Sequence, residues 1–119
     1  MDQLGLDFGT TNSTLAYFDR EGKLVAYRHA GGAGGREYIP TAVARDKSGE
    51  IRIGAAALAM DGEIGWKVDR YFKMLLACGD PALLTSYGYQ PGEPEERAKE
   101  FIGQLIQDFR KDQRVDEIK

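Results

Sequence analysis

One cysteine, one histidine and one tryptophan are spread over 119 residues. A lone Cys78 excludes an internal disulfide and a cysteine-based zinc cluster. His29, as a single histidine at the end of a predicted strand, reads as a surface or packing residue rather than a catalyst. No apolar run comes near the roughly 20 residues that a membrane-spanning helix needs. An excess of basic residues is also missing: the net charge is −3, so there is no electrostatic reason to expect nucleic acid. Met1-Asp2-Gln3 leads straight into a predicted strand without a signal-peptide pattern. With so little cysteine, the expected setting is reduced and cytoplasmic, with neither nucleic acid nor membrane as partner. The length suits one compact domain and is short for two.

What is present begins almost at the first residue. Leu4, Leu6 and Phe8 alternate with Gly5 and Asp7, the pattern of a strand with one apolar face. Gly9-Thr10-Thr11-Asn12 interrupts it with turn-forming and hydroxyl residues, and Leu15 to Tyr17 resume an extended run. The expectation is a β-hairpin whose small turn is rich in N–H and hydroxyl donors. Gly9 has no side chain to hold an anion away. Asp7 ends the first strand and is suited to holding magnesium through water.

The remaining chain alternates short strands with helical material. Asp19 to Gly22 is a polar turn, and Lys23 to His29 a third strand, which makes an antiparallel meander. The glycine cluster Ala30–Gly35 lacks the P-loop and dinucleotide spacings and reads as a mobile connection. Tyr38 to Arg45 is extended, with Pro40 at a strand start or edge. Asp46 to Gly49 is a turn, Glu50 to Ile53 a returning strand, and Ala55 to Met60 a short helix. Trp66 to Leu76 fits helical spacing better than alternation. Leu83 to Gly92 is turn-rich. A final helix opens at Pro94 among Glu93, Glu95 and Glu96 and carries an apolar stripe through Ala98, Phe101, Ile102, Leu105, Ile106 and Phe109. The polar residues 112–119 are expected to fray. The predicted class is mixed α/β: a β-meander with a phosphate loop over about residues 1–37, then a small α+β subdomain over about 38–111.

Asp7-Phe8-Gly9-Thr10-Thr11-Asn12-Ser13 resembles the first phosphate motif of the actin-like ATPases, and within them most resembles the 70-kDa heat-shock (DnaK-type) chaperones. Later segments are similar in the same order: Arg36 to Ala44 through Pro40, Ile53-Gly54-Ala55-Ala56-Ala57, Phe72-Lys73-Met74-Leu75-Leu76, and Pro94-Glu95-Glu96. The resemblance implies the N-terminal part of a ribonuclease H-like ATPase domain that binds ATP or ADP with Mg²⁺. Gly9, Thr10, Thr11 and Asn12 would grip the phosphates, Asp7 would orient hydrated magnesium, and Lys73 would be the catalytic lysine. Met74 stands where the family usually has arginine.

The same resemblance implies that the second phosphate motif, the adenosine motif and the peptide-binding domain lie in further sequence. In that setting the partners would be nucleotide, unfolded peptide, a J-domain co-chaperone and a nucleotide exchange factor. This stretch alone is expected not to hydrolyse ATP and to bind it at about millimolar affinity or worse. In that fold the first strand is central, so the strand Gln3–Phe8 would expose an unpaired edge here and invite self-association. A sugar kinase of the same superfamily and a bacterial actin-like filament protein are the alternatives, since both share the turn. Asp7-Phe8-Gly9 also matches the protein-kinase metal triplet, but that triplet belongs deep inside a kinase domain.

Overall fold

A computed structural model describes residues 4–29 and 37–118, with side chains through Gln113. The first sheet is built on β2 (Asn12–Phe18). On one side of it runs β1 (Leu4–Phe8), antiparallel, with Leu6 opposite Leu15 and Phe8 opposite Ser13. On the other side β3 (Leu24–Ala26) and β4 (Ile39–Pro40) lie end to end, Tyr17 meeting Val25 and Ser13 meeting Ile39. The expected meander is therefore present, and β4 adds a fourth strand. Among the described residues β1 has β2 as its one neighbour and forms the edge of the sheet.

Thr41 and Ala42 carry the chain from β4 into a second antiparallel sheet. Its central strand is β5 (Val43–Asp46), flanked by β6 (Ile51–Ile53) and β7 (Trp66–Asp69). The β2–β3 and β5–β6 connections use the same chemistry. Asp19 Oδ1 accepts the N–H groups of Glu21 and Lys23, each at 2.9 Å, and Asp46 Oδ1 accepts those of Ser48 and Glu50, each at 2.9 Å. Each turn closes on a glycine in the left-handed region, Gly22 at φ 78° and Gly49 at φ 91°.

Short α1 (Ala55–Leu58) follows Gly54. The expected helix over Trp66–Leu76 is instead a strand and a 3₁₀ turn. Trp66 and Val68 pack on the Ala42, Ala44 and Ala57 cluster, while residues 66–69 pair with β5. Neighbours distant in sequence thus outweigh the local spacing. Only Lys73–Leu75 beyond it is helical, as 3₁₀. A second difference is α2 (Pro81–Ser86), in a segment expected to be turns from Leu83 onward. Asp80 caps it by accepting the Ala82 N–H at 3.0 Å, and Pro81 stands in its first turn.

The last helix, α3 (Glu93–Ile118), runs further than Lys111, where its apolar and charged signals end. Its stripe is buried as expected: Ala98, Phe101, Leu105 and Phe109 face the sheets. Phe101 stacks on Phe8 with ring centroids 5.9 Å apart, and Phe109 meets Tyr17 and Tyr27 edge-on at 5.0 and 5.3 Å. Each such ring withdraws apolar area worth about 1.5–3 kcal/mol. One core joins Leu15 and Tyr27 of the first sheet to Val43, Ile53, Phe72 and Leu84. It therefore takes residues from both sides of the boundary expected near residue 37. The glycine cluster Ala30–Gly35 lies outside the described residues. Among those residues no helix is long and apolar enough to cross a membrane.

Candidate functional site

The turn between β1 and β2 is held from below by one residue, Thr41. Its hydroxyl donates to the Gly9 carbonyl at 2.9 Å, and its N–H donates to the Thr11 carbonyl at 2.9 Å. A hydroxyl has one proton to give, so the 2.7 Å contact between Ser13 Oγ and Thr41 Oγ1 must run from Ser13 to Thr41. The result is a chain from the Ser13 hydroxyl through the Thr41 hydroxyl to the Gly9 carbonyl. Ser13 and Thr41 are both buried, and the chain accounts for their polar atoms.

Gly9 is required here by close approach. A Cβ at this position would lie 2.2 Å from the Asn12 carbonyl oxygen, inside any tolerable contact. With the Gly9 and Thr11 carbonyls occupied underneath, the exposed side of the turn carries the side chains of Thr10, Thr11 and Asn12. These form part of a cleft of about 380 Å³. The other walls come from Pro40 to Ala42, from Leu58 of α1, and from Arg70, Tyr71 and Met74 after β7. The cleft thus combines hydroxyl and amide donors, one guanidinium and an apolar flank, a composition suited to an anionic group carried on a larger molecule.

Thr10, Thr11 and Asn12 are brought together at the cleft, over Gly9. Asp7 is exposed on β1 opposite Thr14 and is not part of the cleft wall. Strand alternation sends its carboxylate to the face away from Phe8. Lys73 does not line the cleft either. It opens the 3₁₀ turn, with its ammonium 5.6 Å from the centroid of the Phe8 ring, a cation–π arrangement. Lys73 thus lies beside the ring of the residue that precedes the turn, outside the wall of this cleft.

Two residues that matter at the site were not singled out in the sequence. Thr41 lies in the extended segment Tyr38 to Arg45, whose pattern gives it no role of its own. Arg70 lies within Trp66 to Leu76, where the helical spacing gives it no signal of its own. The signal for Thr41 was weak but present: a hydroxyl residue directly after Ile39-Pro40, in a segment that must pass beside the turn.

A second hollow of about 320 Å³ lies between β3, β6 and α3. There His29 Nε2 is 2.8 Å from Asp108, Gln104 donates to Asp108 at 2.9 Å, and the Tyr27 hydroxyl donates to Asp112. Burial, then the Asp112 contact, pushes the Tyr27 phenol well above its ordinary range. These groups satisfy one another and tie α3 to the first sheet. His29 is a buried, hydrogen-bonded packing residue.

Fold and site together define a mixed α/β protein with two antiparallel sheets and a stapled, hydroxyl-rich turn at the mouth of a cleft. No protein-family model matches the chain, and no curated protein matches it in sequence.

Proposed function

We propose that the Gly9–Asn12 turn is a phosphate grip, and that the chain is the N-terminal portion of an actin-like ATPase, most similar to the 70-kDa heat-shock chaperones. The observation that carries this reading is the double engagement of Thr41. By occupying the Gly9 and Thr11 carbonyls, it removes acceptors that would repel an anion and leaves donors on the exposed side. The Asp7-Phe8-Gly9-Thr10-Thr11-Asn12 motif supplies the family.

Magnesium fits this reading in one form only. Among the described residues no group of three or more His, Cys, Asp or Glu side chains could cage a metal. Asp7 is a single exposed carboxylate, suited to an outer-sphere contact with an ion that arrives on the nucleotide's phosphates. When bound, such an ion would neutralise phosphate charge. The residues of this chain would contribute binding and orientation: the turn would hold the phosphates, and Asp7 would contact the ion through its water.

In this reading the opposing lobe, the adenine pocket and the groups that complete hydrolysis come from further sequence. Unfolded peptide, a J-domain co-chaperone and an exchange factor would engage that larger protein. The present chain is a weak phosphate binder, with ADP or ATP affinity of about millimolar, near −4 kcal/mol. Amide chemical shifts recorded during titration with ADP and Mg²⁺ test this. Saturable shifts at Thr10, Thr11 and Asn12 are the expected result. Shifts absent from the turn at millimolar nucleotide would overturn the reading.

A further inference from the structure

We propose that Phe8 is a positioning residue for Lys73: its ring holds the lysine ammonium next to the first residue of the Gly9–Asn12 turn, so that an anion seated there meets a cation already in place. The inference rests on the reading of the turn as a phosphate grip. It gives a role to the aromatic residue between Asp7 and Gly9, which the grip itself does not use.

Three observations carry it. The first is the contact. Lys73 Nζ lies over the Phe8 ring, 5.6 Å from its centroid, and Phe8 is joined directly to Gly9. The second is the fixing of that ring. Phe8 stacks on Phe101 at 5.9 Å with the planes 24° apart, and Phe72 tilts against Phe8 and Phe101 at 6.4 and 6.3 Å. Phe72 and Phe101 are fully buried. The plane of Phe8 is therefore set by the core and by α3, not by the turn. Because Phe72 directly precedes Lys73, the same three rings fix the lysine at its backbone and at its head.

The third observation is the support under Lys73. Its 3₁₀ turn is pinned by buried Phe72 and Leu75. Just beyond, Ala77 adopts φ 59°, in the left-handed region that a side chain disfavours, and its N–H donates to Glu95 Oε2 in the first turn of α3 at 2.7 Å. The backbone is thus held, and the flexible four-carbon stem is left to be ordered. An aromatic face suits that task better than a carboxylate. Its quadrupole attracts the ammonium without cancelling its charge, whereas a carboxylate would compete with the incoming anion. Among the described residues Lys73 is in no ion pair. A stem ordered beforehand also loses less freedom when the anion binds. The ligand class is the one the turn accepts, a phosphate or phosphoanhydride.

The test uses the full chain and inorganic pyrophosphate, in two parts. Without ligand, the Phe8 ring current should shift the Lys73 Cε protons upfield of those of exposed Lys99, and Phe8→Leu should abolish the difference. With pyrophosphate, Lys73→Met is expected to weaken binding about tenfold, the loss of one charged hydrogen-bonding group. Phe8→Leu should weaken it by about two- to fivefold, the range that a cation–π contact spans. In the Lys73→Met background Phe8→Leu should cost nothing more, because the ring then has no cation to hold. A Phe8 that merely supports the turn would cost the same in both backgrounds, and that result overturns the proposal. A fluorinated phenylalanine at position 8 keeps the shape of the ring and withdraws charge from its face, so it should weaken binding in a chain that folds like wild type. Unchanged affinity with that side chain, or unshifted Cε protons in the wild type, also overturns the proposal while the phosphate grip stands. A wild-type chain with shifted Cε protons that binds no pyrophosphate at the turn removes the grip, and the positioning role with it.

Discussion

The Thr41 hydroxyl donates to the Gly9 carbonyl at 2.9 Å while accepting from Ser13 at 2.7 Å. It joins the end of one sheet to the turn of the other through a buried, directional pair of hydrogen bonds. Thr41→Val keeps the shape and the N–H bond to Thr11, and removes the hydroxyl from the chain. The Gly9 carbonyl then loses a donor and the Ser13 hydroxyl loses an acceptor inside the protein. The expected cost is about 1–3 kcal/mol, read as a lowered urea midpoint with an unchanged m-value. Phosphate affinity should fall with it, because the turn loses its support. Ser13→Ala should cost less, since Thr41 still reaches Gly9.

Gly9→Ala attacks the same turn by volume. The added methyl would be placed 2.2 Å from the Asn12 carbonyl oxygen, which is backbone and cannot swing away like a flexible side chain. The turn must open, at an expected cost of about 2 kcal/mol or more. Amide shifts should change from Phe8 to Ser13 and at Thr41, and stay put in α3. Gly5→Ala is the control, because a Cβ there meets nothing within 4 Å. Equal destabilisation by both substitutions would contradict the close-approach argument.

The hairpin, both Asp-to-Gly turns and the apolar stripe of α3 were legible because each is written within a few residues. Leu4, Leu6 and Phe8 alternate, and Ala98, Phe101, Leu105 and Phe109 recur at helical spacing. Trp66–Asp69 was not, because its strand identity depends on β5 as a partner twenty or more positions away. The apolar residues after it, Tyr71, Phe72, Leu75 and Leu76, supplied a misleading helical period. Asp80-Pro81 starts α2 as a cap and a first-turn proline, a signal two residues long beside a turn-rich stretch. At the site, Thr10, Thr11 and Asn12 were visible as donors. The staple from Thr41 and the place of Arg70 in the cleft wall were not, since both depend on the path between two sheets.

Two carboxyl groups should give opposite pH responses. Burial raises the pKa of Glu100 above the ordinary glutamate value of 4.5, against the lowering charges of Arg97 and Arg45. The folded chain then holds a proton that the unfolded chain has released. Its contribution to stability is present below about pH 4.5 and is lost as pH rises through the raised value. Asp46 runs the other way. The Ser48 hydroxyl, and then the Glu50, Ser48 and Gly49 N–H groups, hold its carboxyl below 3.8. What it contributes is present above that value and is lost as pH falls through the lowered one. Carboxyl carbon titrations should place Glu100 above and Asp46 below ordinary values. Ser48→Ala should move Asp46 upward, and Glu100→Gln should flatten stability just above pH 4.5.

The helix–sheet contact behind Glu100 also contains a buried cation. Arg97 is 4% exposed, with Nε 2.8 Å from Glu100 Oε1 in an orientation poor for a hydrogen bond, and Nη2 donating to Oε2 at 3.2 Å. Asp69 is buried nearby in electrostatic reach, and with burial it drives the Tyr89 phenol upward. Arg97→Met strands the Glu100 charge in a poorly hydrated place. The expected cost is about 3–5 kcal/mol, because removing one partner of a buried pair is dearer than removing both. Arg97→Met with Glu100→Gln should recover much of it. A single variant within about 0.5 kcal/mol of wild type would show that water already compensates this pair.

Strand β1 leads to the last expectation, self-association of the chain, which we propose occurs by antiparallel pairing of β1 with β1 of a second copy. β1 is an edge among the described residues, and it carries no lysine or proline to guard that edge. Leu4 and Leu6, each 38% exposed, share the core face with Tyr17 and Leu15, so the apolar face continues past its cover. A two-fold register centred on Leu6 sets Leu4 against Phe8 and Gly5 against Asp7. The two carboxylates are thereby kept from facing each other, where like charges would repel. Sedimentation velocity should show a concentration-dependent dimer, with slowed amide exchange along Leu4–Phe8. Leu6→Lys should leave a folded monomer, since position 6 lies at the rim of the core and faces itself across the two-fold. A wild-type monomer at high concentration, with Leu4–Phe8 amides already protected, would mean that the edge is covered within one chain.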